Sequence, residues 1–363
     1  MSLDLEERIK AIQNEIARTQ KNKATEHHLG LLKAKIAKLK KAAQSHKSSS
    51  FQGVKKEGDA TVAMIGFPSV GKSSILNCLT NAKSKIAAYE FTTTECIPGI
   101  MDYKGALIQV LDLPGIIEGA SEGRGMGKAV LSHARMSDLL LIVTDVQRLA
   151  SIGTIISELE ESTFRLNKTE PRIDIKIFDK DGISINSSLE TLDEQTIKTI
   201  KEVIREFGIH NARIVFNEPF DLDRLIDKLA RNRKYVNCIV VINKAEDLKS
   251  KNEEKIEVNG TWFDLVYVSA LTGKNIELLK TKIWEQLGLI RVFTVKRNGE
   301  LDDKPLILKK GSTVKDLCLR LHKDLLKFFR YAKITGRSAK FHGQKLGLEH
   351  VLQDGDTVTI YTR

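Results

Sequence analysis

Apolar positions along the chain follow two rhythms. From residue 61 onward, short apolar runs bounded by turn residues recur at 61–65, 106–111, 139–144, 239–242 and 265–268. Runs of that length predict strands buried on both faces, as in a parallel sheet with helices between them. Upstream the spacing is helical: Leu5, Ile9, Ile12 and Ile16 form one stripe, and Leu29, Leu32, Ile36, Leu39 and Ala43 a second. Asp4 and Glu7 stand like a capping box for the first helix, and Thr25 like a cap for the second. The polar segment 19–25 joins them as a turn. Such a helical hairpin is too small to hold itself, so it is expected to pack on a neighbour. Residues 45–50 (SHKSSS) read as a linker.

More than ninety residues separate Asp145 from Ile239, whereas a whole βαβ unit takes about 30. Inside this stretch Ile173, Ile175 and Ile177 alternate, Asp181-Gly182 makes a turn, and Ile183 and Ile185 alternate again. A helix carrying Ile197, Ile200, Ile204 and Phe207 follows, then an apolar run at 212–216 and a helix around 221–231. This predicts an α+β insertion at about 168–235. After Leu289 the order is strand (291–295), turn (Asn298-Gly299), strand (305–308), helix (314–328), Gly343-Gln344-Lys345 and a last strand (357–361). That is the order of a ubiquitin-like β-grasp module. The expected fold is α/β: a helical hairpin and linker at 1–50, a sheet domain with its insertion at 51–289, and the β-grasp at 290–363.

Composition narrows the setting. The chain has 363 residues, 41% hydrophobic and 29% charged, and no apolar run approaches membrane-spanning length. Cys78, Cys96, Cys238 and Cys318 are far apart and form no C-x-x-C pair, which fits a reducing compartment and offers no zinc site. Neighbouring His27 and His28 do not share a helix face, which argues against a metal site there. A cytoplasmic protein with no membrane partner is expected, and a monomer. The net charge of +11 is uneven: +6 over 1–60, −3 over 61–290 and +8 over 291–363. Basic ends around a near-neutral centre suggest modules that meet a polyanion, or charge that only aids solubility.

The chemistry is concentrated in a few segments. Gly66-Phe67-Pro68-Ser69-Val70-Gly71-Lys72-Ser73 fits G-x-x-x-x-G-K-[ST], follows a predicted strand and opens a helix at Ser74. Its glycines let backbone N–H groups curl around phosphate oxygens, Lys72 reaches the β and γ phosphates, and Ser73 ligates Mg²⁺. Asp112-Leu113-Pro114-Gly115 ends the second strand, where Asp112 can hold Mg²⁺ and Gly115 can offer its N–H to a γ-phosphate. Thr93 is the expected switch contact to the metal, with Thr92 and Thr94 as alternatives in the same run. Asn243-Lys244-Ala245-Glu246 follows a later strand. The Glu246 carboxylate matches the N1–H and N2 donors of guanine, and Lys244 can cover the base. Ser269-Ala270-Leu271 can present an N–H to the guanine O6.

These five segments resemble the motifs of TRAFAC-class GTPases, and 112–127 (DLPGIIEGASEGRGMG) is similar to the switch II of Obg-related GTPases. With the stretch 22–33 (NKATEHHLGLLK), the insertion and the β-grasp tail, the whole chain resembles the developmentally regulated GTP-binding protein (DRG) family. The resemblance implies a helix-turn-helix N-terminus, an S5D2-like insertion, a TGS domain at the C-terminus, and association with ribosomes and translation. Three positions depart from pattern or stand out. Glu246 replaces the usual Asp, as in related Obg-like ATPases. Ile116 follows Gly115 where Ras-like enzymes place a water-orienting Gln. Ser69 stands where potassium-activated relatives often have Asn, which leaves K⁺ open without implying it. The expectation is a slow, Mg²⁺-dependent GTP-hydrolysing switch on the ribosome with a regulatory protein partner. An Obg-like ATPase and a nucleotide-stabilised RNA scaffold are the alternatives.

Overall fold

The computed structural model describes residues 2–20, 25–45, 58–80, 97–113, 126–246, 253–295 and 300–362. The chain opens on α1 (Ser2–Arg18) and α2 (Glu26–Ser45). β1 (Ala60–Ile65) leads into α3 (Lys72–Leu79), followed by β2 (Ile97–Tyr103), β3 (Ala106–Asp112), α4 (Met126–Met136), β4 (Leu139–Asp145) and α5 (Ser151–Glu161). Next come β5 (Phe164–Leu166), β6 (Ile173–Ile177), β7 (Ile183–Ser187), α6 (Glu194–Glu206), β8 (Ala212–Phe216) and α7 (Leu222–Ala230). β9 (Lys234–Asn243), β10 (Glu253–Val258), β11 (Thr261–Tyr267) and α8 (Ile276–Leu287) follow. The chain ends with β12 (Leu289–Thr294), β13 (Leu306–Lys309), α9 (Val314–Leu321), α10 (Asp324–Phe328), β14 (Phe329–Thr335), β15 (Gln344–Leu346) and β16 (Asp356–Thr362). Two compact units result, one of residues 1–52 and 163–235, the other of 53–162 and 236–363.

In the larger unit the main sheet runs β10-β11-β9-β4-β1-β3-β2. The five central strands pair in parallel. Both outer strands are antiparallel, β2 on β3 and β10 on β11. The five strands read from the sequence thus pair in parallel as expected, and the two outer strands, which the sequence reading did not include, make the sheet mixed. β1 and β4 are buried throughout and read as apolar runs, whereas β2 holds Pro98 and Gly99 and is half exposed, which hides it from a pattern search. The carboxyl ends of β1, β3, β4 and β9 lie along one edge, with Met64 level with Asp112 and Asp145 level with Asn243.

The C-terminal sheet runs β13-β12-β16-β14-β15, with β12 and β16 parallel at its centre. Val314, Leu317 and Cys318 of α9 pack on Val292, Ala332, Ile334 and Val358. The helix expected at 314–328 is broken into two, because His322 is extended (φ −164°, ψ 134°). β14 was not anticipated, and the Asn298-Gly299 turn lies outside the described residues.

In the smaller unit β8 sits between β6 and β7, antiparallel to the first and parallel to the second. The Asp181-Gly182 turn, at φ 83° and 71°, thus links two strands that do not pair. Asp193 and Asp221 cap α6 and α7 through their carboxylates. Ala34 and Ala37 of α2 join Ile200, Val203, Leu225 and Ile226 in one core, so the hairpin does find a neighbour. α1 begins at Ser2, which places Asp4 inside the first turn and not at the cap. His27 bonds Thr199 and Glu202 at 2.9 and 2.8 Å, and His28 bonds Glu15 at 3.0 Å, so both have structural partners. Ser45 ends α2, and the rest of the expected linker lies outside the described residues. Among the described residues no helix is long and apolar enough to cross a membrane.

Candidate functional site

The glycine loop leaves β1 under tight constraint. A Cβ on Gly66 would stand 2.1 Å from the Val143 carbonyl oxygen, so β1 can turn into the loop there only without a side chain. Ser69 and Gly71 both take positive φ (64° and 90°), and Gly71 is the residue from which α3 starts. This curls successive backbone N–H groups toward one point at a helix N-terminus. Lys72 is buried, and its ammonium donates to the carbonyls of Gly66 (3.2 Å) and Phe67 (3.1 Å), folding back across the loop. The Ser73 hydroxyl donates to Asp112 Oδ2 at 2.5 Å. Burial lowers the Lys72 pKa against the pull of Asp112. Burial likewise raises that of Asp112, opposed by Ser73 and Lys72.

The second half is built on the ends of β9 and β11. Asn243 Nδ2 donates to the Val70 carbonyl at 3.0 Å, while Asn243 Oδ1 accepts from the Ala270 N–H at 3.1 Å. One side chain thus ties the glycine loop to the segment after β11. Ser269 donates to Glu246 Oε1 at 2.7 Å and accepts from the Thr272 N–H at 3.1 Å. The Ser269 hydroxyl, ahead of the backbone N–H of Glu246 itself, holds the Glu246 pKa below the ordinary carboxylate range. Lys244 donates to the Ser69 carbonyl at 3.0 Å and to Asp145 Oδ2 at 3.1 Å.

The structure therefore joins Ser69, Val70, Gly71, Lys72, Ser73, Asp112, Asn243, Lys244, Glu246, Ser269 and Ala270 through these contacts along one sheet edge. Pro68 lies in the same loop, Ser74 is exposed on the first turn of α3, and Leu271 is 87% exposed. Thr93 and Gly115, with Thr92, Thr94 and Ile116, lie outside the described residues. Three participants escaped the sequence reading. Asp145 is buried at the end of β4, one oxygen on Lys244 and Oδ1 without a hydrogen-bond partner among the described residues. Its signal was available, since an Asp ends a third apolar strand at the same edge. Arg148 donates to the Pro68 carbonyl at 3.1 Å, and the Cys78 thiol to that of Ala270 at 3.2 Å. Neither has a sequence signature.

A curled N–H loop, a buried ammonium, a Ser–Asp oxygen pair and an acceptor-only carboxylate can take a phosphate chain, a hard cation and a donor-rich base. Comparison with known proteins agrees. Residues 61–173 match the family described as 50S ribosome-binding GTPase, 180–289 match the C-terminal region of that domain, and 290–362 match the TGS domain. The chain is 46% identical to an uncharacterized GTP-binding protein of Methanocaldococcus jannaschii, covering 99% of this chain and 93% of that one. It is 43% identical to GTP-binding protein 1 of Schizosaccharomyces pombe, covering 98% and 99% of the two chains. The human developmentally-regulated GTP-binding protein 2 is 41% identical, covering 98% of each. With the GTPase domain, its C-terminal region and a TGS domain matched in succession, and relatives of that name similar over nearly its whole length, this chain belongs to the developmentally regulated GTP-binding protein family of GTPases.

Proposed function

We propose that this protein is a Mg²⁺-dependent, slowly hydrolysing GTP switch that acts on the ribosome. The observation that carries the site reading is Asn243, whose amide bonds both Val70 and Ala270, so that phosphate loop and base segment form one cradle. In it the loop N–H groups and Lys72 bind the phosphates, and Glu246, oriented by Ser269, accepts from the guanine N1–H and N2. Lys244 covers the base with its stem while its ammonium is held by Ser69 and Asp145. The donor set fits the metal, because the Ser73 hydroxyl and the Asp112 carboxylate place two hard oxygens 2.5 Å apart, and burial disfavours the bare Asp112 charge that a bound cation would neutralise. Mg²⁺ supplies charge neutralisation between the β and γ phosphates. Thr93 and the Gly115 N–H are assigned to the γ-phosphate side as switch contacts.

Ile116 has no group to orient water, which supports slow intrinsic turnover, on the order of 10⁻⁴ to 10⁻² s⁻¹ as in unassisted Ras-like enzymes. A ribosomal surface, a regulatory protein or K⁺ would supply the missing contact. The basic ends, +6 and +8 around a centre of −3, support docking on ribosomal RNA. Co-sedimentation with ribosomes in GDP and in a non-hydrolysable GTP analogue tests the switch. Binding that depends on nucleotide and falls steeply with salt is expected; equal binding in both states would reduce the protein to a scaffold.

A further inference from the structure

The +8 of the C-terminal module is not spread evenly. Residues 327–347, which span β14, the following turn and β15, hold six Lys/Arg and no Asp or Glu. Lys327 pairs with Asp324, but Arg330, Lys333, Arg337, Lys340 and Lys345 make no ion pair among the described residues. Alternation along β14 and β16 sends Ala332, Ile334 and Val358 into the core under α9. Tyr331, Lys333 and Tyr361 therefore stand on the opposite face. Along β13 that second face meets the main-sheet core, which Ile307 joins. Along β14 and β15 it carries only half-buried and exposed side chains.

On this uncovered half two aromatic rings lie side by side. Tyr331 and Tyr361 are cross-strand partners, with centroids 4.7 Å apart and planes 18° from parallel. Lys345 Nζ stands 5.0 Å from the centre of Tyr331, Lys333 Nζ 5.2 Å from that of Tyr361, and the Arg330 guanidinium 5.8 Å from Tyr331. Phe341, in the adjoining turn, is 64% exposed. Aromatic faces interleaved with cations and free of acids are what an unpaired nucleic-acid strand requires: π surfaces for its bases and charge for its phosphates. A base that takes a tyrosine face releases the lysine over it to the neighbouring phosphate. An acidic peptide would use the cations but has no use for paired rings.

We propose that this face, built on Tyr331 and Tyr361 with Arg330, Lys333 and Lys345, binds single-stranded RNA by stacking its bases. The proposal rests on the ribosomal reading above only for where such RNA is met. The test uses the full chain, a labelled oligouridine of about 12 nucleotides, an RNA duplex of equal length and a poly-glutamate peptide, with anisotropy as readout. Replacing Tyr331 and Tyr361 together by Ala should weaken oligouridine binding about tenfold or more and leave duplex binding within about twofold. Replacing both by Phe, which keeps the stack, should hold oligouridine binding near wild type. Lys333→Gln with Lys345→Gln should flatten the salt slope by about 1.4. An unchanged circular-dichroism spectrum and thermal melt, together with retained GDP binding, show that each variant is folded in both the C-terminal and the main sheet, and if the Ala pair fails that check the lysine pair decides. Wild-type protein that ignores oligouridine, an Ala pair that binds it normally, an unchanged slope in the lysine pair, or peptide binding lost in parallel with RNA would each overturn the proposal. An unaffected Ala pair with intact ribosome co-sedimentation sinks this platform alone. Oligouridine binding as expected without ribosome co-sedimentation sinks the ribosomal reading alone.

Discussion

Gly71 offers the sharpest test of how the cradle is held together. Its φ is +90°, and a Cβ there would lie 2.3 Å from Asn243 Nδ2, the atom that bonds Val70. Gly71→Ala should cost about 1.5 kcal/mol for an L-residue in left-handed backbone. Pushing the Asn243 amide off Val70 and Ala270 should cost about 1 kcal/mol for each hydrogen bond. Asn243→Ala alone forfeits the same two bonds, so about 2 kcal/mol. In the double variant the amide is no longer in the way, and only the backbone strain adds to the lost bonds. The double variant should then cost about 3.5 kcal/mol, leaving a coupling of about 2 kcal/mol in place of additivity. Urea unfolding of the four proteins measures this, with GDP titration in parallel. Gly153, which meets nothing within 4 Å and lies in α5, is the control: its Ala variant should be neutral or more stable by up to about 1 kcal/mol. Additive costs at Gly71 and Asn243 would refute the reasoning, because they would mean that the Ala side chain never meets the amide.

Glu246→Asp should preserve or tighten GDP binding, and both forms should prefer GDP to ADP by competitive titration; a preference for ADP would point to the ATPase alternative. Asp112→Asn should raise the Mg²⁺ concentration for half-maximal GTP hydrolysis by about 10–100-fold, and excess EDTA should abolish turnover of the wild type. Glu218, chiefly through its hydrogen bonds to Arg224 (2.7 Å to each oxygen), has its pKa held below the ordinary carboxylate range. A depressed carboxylate contributes fully above its unfolded pKa of about 4.3 and loses that contribution as pH falls through its lower folded value. Thermal melts of Glu218→Gln should thus be destabilised by about 1.5–3 kcal/mol at neutral pH and converge on wild type in acid. A constant gap at all pH values would assign the effect to packing.

How much of this protein was legible residue by residue follows from what each signal depends on. The glycine loop, the Asp at the end of β3, and Asn243 to Glu246 were readable because phosphate and base chemistry demand particular residue types at fixed distances from a strand. The central strands were readable because burial on both faces leaves only apolar residues. The outer strands were not: β2 contains Pro98 and Gly99 and is half exposed, so nothing in its sequence distinguishes it from a loop. The insertion's two isoleucine rhythms were correctly strands, but their separation by β8 depends on a segment that arrives later in the chain. Asp145 could have been read as an Asp ending a third apolar strand, but Arg148 and Cys78 entered the site only in three dimensions, each through a contact with a loop distant in sequence. The net charge of the C-terminal module was countable from composition. Its concentration beside the Tyr331–Tyr361 stack was not, because cross-strand register decides which side chains share a face. Local periodicity and motif spacing therefore determined the fold class and the kind of ligand. Strand pairing and long-range hydrogen bonds, which no local pattern encodes, decided which residues meet.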